Sequence, residues 1–393
     1  MRILSVHNQF RQYAGSDIVA AADEKLFAQN AEVASYVRNS NEISSAGTLA
    51  KASLALDTIY SRRTVREITA LVGKFQPDIA YVHNVFPLIS PSLYHVLSRL
   101  KVPSVHVIHD FRLWCPNSRF YINNQPCREC QKGNYWPAVK KKCVQGSTAF
   151  SALYASSLYV NRQLDFTQKI GGFICLTEFA KNLLIESQVP EEKIYICPNH
   201  IDTADFTPQY GGGKYVLYLG GLYRDKGVMT VAKAFAKLPD IPVKFVGAGD
   251  AEAELREFVR EHGCANIEVV GFKGGADKLE YLRNAMFTIC ATHCYETFGL
   301  VVLEAYASGK PVIASAIGAL PYIVHPEETG LLFEPQNADD LAEKVRNLHA
   351  RPEAIERMGR RGRELVEQKY DSRLRYAALQ EIFENVIQKS RMN

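Results

Sequence analysis

The sequence predicts an α/β protein of two doubly wound, Rossmann-like parallel-sheet domains facing each other across a cleft. Three observations carry this expectation. Short apolar runs ended by polar residues alternate with helical patterns in both halves, Gly211-Gly212-Gly213 breaks the chain near its middle, and 393 residues suit two cores better than one. Buried strands separated by helices imply a parallel sheet covered on both faces, with its ligand crevice at the carboxyl ends of the strands.

In the first half MRILSVHN is a strand, and SDIVAAADEKLFAQNAEVASYV is a helix running into a second β-rich segment. IYSRRTVREITALVGKF is a helix, and DIAYVHN, VPSVHVIHD and GGFICLTEF are strands ended by polar residues. Three of these strands end on a histidine pair: His7-Asn8, which leads to Ala14-Gly15-Ser16, then His83-Asn84 and His109-Asp110. A lone histidine at a strand exit is ordinarily a satisfied structural group. Three on one sheet edge make that edge a candidate site.

Residues 111–147 interrupt the rhythm. They hold both tryptophans, Trp114 and Trp136, and four of the nine cysteines. Seven basic residues (Arg112, Arg119, Arg128, Lys132, Lys140, Lys141 and Lys142) stand there against the single acid Glu129. Cys127 and Cys130 form a CxxC pair flanked by Cys115 and Cys143, a set that could close a tetrahedral zinc site stapling a loop too poor in apolar residues to fold alone. Free buried cysteines are the other reading. The basic and aromatic composition suits peripheral contact with anionic lipid headgroups or a lipid-diphosphate acceptor, and equally a solvated charged face.

After a helical run near residues 148–160, the break at residues 200–212 marks the domain boundary. The second half repeats the architecture: KYVLYLGG, VKFVGAG, IEVVGF and MFTICAT are strands, and VMTVAKAFAKL, AEAELREFVREHG and KLEYLRNAM are helices. Its first turn, GGLYRDKG, lets a phosphate approach the backbone, with Lys226 supplying positive charge.

HCYETFGLVVLEAYASGKPVIAS is the most informative stretch. It reads as loop, helix, tight break and buried strand, with Ser308-Gly309 ending the helix and Pro311 blocking its continuation. The N–H groups of Phe298, Gly299, Leu300 and Val301 would point out of its first turn, where the macrodipole favours an anion. Glu296 and Glu304 bracket that helix start, an arrangement suited to a nucleotide-sugar whose diphosphate sits on the amides and whose hydroxyls donate to the carboxylates. From spacing alone, a core helix with two incidental acids is an equal alternative.

The wording around the acids is more specific than the spacing. Glu296, seven residues, then Glu304, embedded as ETFGLVVLEAYASGKPVIAS, closely resembles the E-x7-E signature of retaining glycosyltransferase family 4, whose members have the GT-B fold. The resemblance implies that Glu296 lies by the donor sugar and that Glu304 binds the nucleotide ribose. It extends to HNVFPLISPSLYHVLSRLKVPSVHVIHDFRLWCPN, which is similar to the N-terminal acceptor domain of a subset of the family. There it implies His109 beside the donor sugar and reaction centre and Gly15 near the diphosphate, although Ala14 replaces the first of the usual paired glycines. Residues 220–227 resemble the phosphate-binding turn: Lys226 is kept, Gly221 stands where the clamp arginine is expected, and Arg224 is the substitute within reach. Gly271-Phe272-Lys273 matches the loop that holds the base through backbone groups. Pro198-Asn199-His200-Ile201-Asp202 resembles the interdomain sequence with His200 in place of glycine, and Tyr322 replaces the glutamate of the signature's tail. The implied domains are 1–205 for the acceptor and 206–371 for the nucleotide-sugar, with a last helix of about 372–393 packing back on the first.

The sequence holds no Asp-x-Asp pair, Walker loop or G-x-G-x-x-G fingerprint. Catalysis is therefore expected to need no cofactor, with leaving-group charge met by the Gly299 amides, Lys226 and the helix dipole. The expected reaction is retaining transfer from a UDP- or GDP-sugar to a glycan or lipid-linked acceptor, in cell-surface polysaccharide assembly. A nucleotide-sugar epimerase, a glycan phosphorylase or a non-catalytic binder would use the same cradle. The slight net charge of +4 argues neither for nor against nucleic acid, and without a zinc-finger or RRM pattern no nucleic-acid partner is expected. Without an apolar run of spanning length or a secretory signal, a cytoplasmic protein is expected, at the inner membrane face if the insertion touches lipid.

Overall fold

The computed structural model describes residues 1–10, 15–45 and 55–392; Ala14 falls outside them. The chain divides into two compact units. One comprises Met1–Ile122, Cys127–Pro198 and Tyr376–Asn393, the other Asn123–Pro126 and Asn199–Arg375.

The first unit is built on strands β1 (Arg2–Gln9), β2 (Glu32–Asn39), β3 (Ile79–Asn84), β4 (Ser104–Val107), β5 (Gly172–Cys175) and β6 (Ile194–Ile196). They form one parallel sheet in the order β2-β1-β3-β4-β5-β6. The interior strands are short and apolar because helices cover both faces; every residue of β3 is buried. The order reverses between β1 and β3, so their carboxyl ends open a crevice at a topological switch point. His7 pairs with Asn84 in the register there. β4 stops at Val107, which leaves His109-Asp110 on the loop beyond the strand rather than at its end. Within this unit the last helix, Ser372–Met392, lays Phe383 against Tyr81 at 5.4 Å and against Phe27 at 5.9 Å.

The second unit holds β7 (Tyr215–Leu219), β8 (Val243–Val246), β9 (Ile267–Gly271), β10 (Ala285–Cys290), β11 (Val312–Ser315) and β12 (Gly330–Phe333). They too form one parallel sheet, in the order β9-β8-β7-β10-β11-β12. Here the switch point lies between β7 and β10. The turn after β7 is the glycine-rich one carrying Lys226, and the loop after β10 carries Glu296.

Two expectations change. The division between the units falls at Pro198 and Asn199, and Gly211-Gly212-Gly213 belongs wholly to the second unit. A Cβ on Gly213 would stand 2.3 Å from the Met286 nitrogen, so this glycine is packed against β10 rather than serving as a loose joint. The insertion is also richer in core than its charge suggests. Phe111, Trp114, Phe120 and Tyr135 are buried, and Trp114 packs on Phe173 at 5.8 Å. Trp136 is 69% exposed. No helix among the described residues is long and apolar enough to cross a membrane.

Candidate active site

The helix after β10 runs from Leu300 to Ala307, with Gly299 as its N-cap at φ 114°. That positive φ is open to glycine and strained for a side-chain-bearing residue. The Val302 amide already closes on the Gly299 carbonyl at 2.9 Å. The amides of Leu300 and Val301 are the ones the helix cannot satisfy itself. Phe298 contributes backbone at most, because its ring is buried edge-on to Tyr370 at 5.7 Å.

Each acid meets a lysine. Lys226 donates to Glu296, and Lys278 donates to Glu304 at 2.7 Å. Burial by itself would lower the Lys226 pKa, but the charge of Glu296, then nearby Cys294 and the hydrogen bond to Glu296, outweigh it and hold the ammonium above its ordinary range. The Lys226 side chain keeps 36% of its exposure and that of Glu296 21%, so this pair faces solvent and a ligand can reach it. Glu304 is more enclosed, at 15%.

The turn and the loop are tied together by groups that sequence reasoning missed. The Tyr218 hydroxyl donates to the Gly221 carbonyl at 2.9 Å and lies 3.3 Å from that of Lys226, pinning the turn from its own strand. The Asp225 carbonyl accepts from the His293 amide at 2.8 Å and the Thr292 hydroxyl at 3.3 Å. Gly227, at φ 74°, touches the same loop so closely that a Cβ would lie 1.9 Å from the Ala291 carbonyl oxygen. Under Glu296 the Gly318 backbone leaves no room either, since its Cβ would stand 2.8 Å from the Glu296 nitrogen. Lys226 and Glu296 are therefore held by two loops fixed to one another.

Three other predicted donor residues sit less centrally. Arg224, the expected substitute for the clamp arginine that Gly221 lacks, pairs with Glu254 at 2.8 Å with its side chain 74% exposed. Phe272 is 75% exposed beside Lys273 on the loop after β9, free to offer a ring face. A groove of about 750 Å³ on this unit, lined by Lys233, Phe258, His262 and Asn337 among others, includes none of these residues.

In the first unit the strand-exit histidines form a buried network. His7 Nε2 meets Asp17 Oδ1 at 2.7 Å, and the Phe10 amide donates to the same oxygen at 3.3 Å. His109 Nε2 and His83 Nδ1 share a hydrogen bond at 2.8 Å, their rings within 13° of parallel. His83 Nε2 lies 4.0 Å from Asp23, whose carboxylate accepts from the Tyr81 hydroxyl at 2.7 Å. Burial, then the neighbouring His83, pushes the His109 pKa well down, so its imidazole is neutral at pH 7. Only His109 of the three keeps partial exposure; Gly15, at the start of helix Gly15–Ala28, is exposed.

Two family models match the chain, Glycosyltransferase Family 4 over residues 24–205 and Glycosyl transferases group 1 over residues 202–365. The MMP alpha-(1->4)-mannosyltransferase of Mycolicibacterium hassiacum is 28% identical over 47% of this chain and 46% of its own. The chain spans about half the length of the curated relatives it matches. Among solved structures, sucrose-phosphate synthase from Thermosynechococcus elongatus aligns with a TM-score of 0.73 at 21% identity over 99% of both chains. Anabaena HepE in complex with UDP-glucose aligns with a TM-score of 0.68 at 16% identity, over 98% of this chain and 99% of that one. At such identities the likeness concerns the fold, which is GT-B.

Proposed function

The chain belongs to the GT-B glycosyltransferase superfamily, and on that premise we propose that it is a retaining glycosyltransferase that takes a UDP- or GDP-sugar in its second unit. The observation that carries this reading is the placement of Lys226 and Glu296 on two interlocked loops at the switch point, beside the first turn of helix Leu300–Ala307.

The donor's pyrophosphate rests on the Leu300 and Val301 amides, and Lys226 neutralises charge that develops on it. Glu296 faces the sugar hydroxyls. Glu304 accepts from the ribose hydroxyls, using lone pairs that Lys278 leaves free. The exposed ring of Phe272 stacks on the base. As the anomeric C–O bond to phosphate breaks, the acceptor oxygen bonds to the anomeric carbon on the same face and its proton passes to the leaving phosphate. Retention of configuration follows. The acceptor, a glycan or lipid-linked glycan of a surface polysaccharide, falls to the first unit, where the neutral imidazole of His109 offers a hydrogen bond to a sugar hydroxyl. Exposed Trp136 and Lys140 to Lys142 favour contact with an anionic membrane face for a lipid-linked acceptor.

Incubation with a panel of UDP- and GDP-sugars tests the proposal, read by release of nucleoside diphosphate and by NMR of the product's anomeric centre. One donor is expected to give product with its anomeric configuration kept. Inverted product, isomerised donor or phosphate-dependent cleavage would overturn the reading.

A further inference from the structure

Away from this site, the insertion between β4 and β5 gathers four soft ligands around one small space. Cys115, Cys127, Cys130 and Cys143 all line a cavity of about 10 Å³, room for a single water-sized sphere. They arrive from three separate bends, with Cys127 and Cys130 sharing one. The Cys115 amide donates to the Phe111 carbonyl at 2.8 Å, that of Cys127 to Phe120 at 2.7 Å, and that of Cys143 to Ala138 at 3.0 Å, past the short helix Trp136–Lys140. Cys130 follows Cys127 by one turn. None of the four is in a disulfide. Scattered buried cysteines would behave as small apolar groups with no reason to share a cavity.

The surroundings match what four sulfurs would need if charged. Lys141 also lines the cavity, 3.9 Å from the Cys127 sulfur, and the segment carries seven basic residues against one acid. That surplus of positive charge offsets the 2− that a divalent ion with four thiolates would leave.

We propose that this cavity binds one zinc ion as a tetrahedral four-cysteine site that fixes the 111–147 segment between β4 and β5. Among the described residues no three such side chains are already drawn together around a point. Binding would rotate the sulfurs inward to Zn–S distances of about 2.3 Å. Each S–Zn bond replaces an S–H bond, and the four protons leave to solvent.

Elemental analysis of the full chain purified from zinc-supplemented cells tests this, together with Co²⁺ exchange. About one zinc per chain is expected, released by a mercurial thiol reagent, and the Co²⁺ form should show tetrahedral d–d bands with sulfur-to-cobalt charge transfer. The Cys127→Ser/Cys130→Ser variant should lose the metal. If that variant does not fold, Cys143→Ser, with one ligand fewer, should still show an altered Co²⁺ spectrum. Metal-free protein with four alkylatable thiols would overturn the proposal. So would a Cys127–Cys130 disulfide in non-reduced protein, or bound Co²⁺ lacking the charge-transfer band. None of these readouts depends on sugar transfer.

Discussion

The Lys278 ammonium donates to the Glu304 carboxylate at 2.7 Å, joining helix Gly275–Arg283 to the helix that opens at Gly299. It fixes the orientation of the acid proposed to receive the ribose. Lys278→Ala should raise the donor KM by roughly fivefold to tenfold, the scale of one charge-assisted hydrogen bond, with kcat nearly unchanged. Glu304→Ala should raise it further. Steady-state kinetics with varied donor separates the two parameters, and a fall confined to kcat would assign Lys278 a different role.

Lys226 acts where charge develops on the leaving phosphate. Lys226→Ala should lower kcat about a hundredfold or more, on the scale of removing one transition-state donor. Lys226→Arg should recover part of it. Equal rates for parent and Lys226→Ala would displace the site from this turn.

Gly227 tests the interlock itself. With φ 74° and a Cβ that would meet the Ala291 carbonyl at 1.9 Å, Gly227→Ala must move the turn or the loop. It should lower the melting temperature and weaken binding of UDP or GDP together, measured by thermal unfolding and titration calorimetry. Gly146→Ala, whose Cβ would meet nothing within 4 Å at a similar φ of 65°, controls for backbone strain alone.

His83 should set the tautomer of His109 through their shared hydrogen bond. His83→Ala should leave His109 with mixed tautomers in ¹⁵N NMR spectra and lower turnover about tenfold, as loss of an orienting partner does. A single unchanged His109 tautomer would make His83 structural only.

Lys310 is 1% exposed and its ammonium has no hydrogen-bond partner. Burial lowers its pKa from 10.5 to about 8. The unfolded chain thus binds the proton more tightly than the folded one. The cost to stability is full below pH 8, fades as pH rises toward 10.5 and is absent above it, amounting to roughly 3 kcal/mol at most. Lys310→Met should stabilise the protein at pH 7, and its advantage over the parent should shrink by pH 10, read from paired unfolding curves.

What the sequence made legible was the chemistry that requires neighbours in the chain. The apolar strands, the two acids around one helix start and the lysine in a glycine turn are all local patterns. Lys278, Tyr218 and Asp225 were not legible, because each acts on a partner from another segment and looks, in its own, like an ordinary polar residue of a helix, strand or turn. The pairing of Arg224 was hidden for the same reason: Glu254 accepts from it on a helix beyond the next strand. The insertion's seven basic residues obscured the aromatic core that Phe111, Trp114 and Phe120 build beneath them.

The place where a nucleotide-sugar's pyrophosphate binds decides the proposed function. A crystal structure of the chain with UDP or GDP, whichever binds tighter, measures that directly. Phosphate oxygens are expected within hydrogen-bond distance of the Leu300 and Val301 amides and of Lys226 Nζ, with the ribose on Glu304. A nucleotide bound elsewhere, with these amides and both acids untouched, would contradict it.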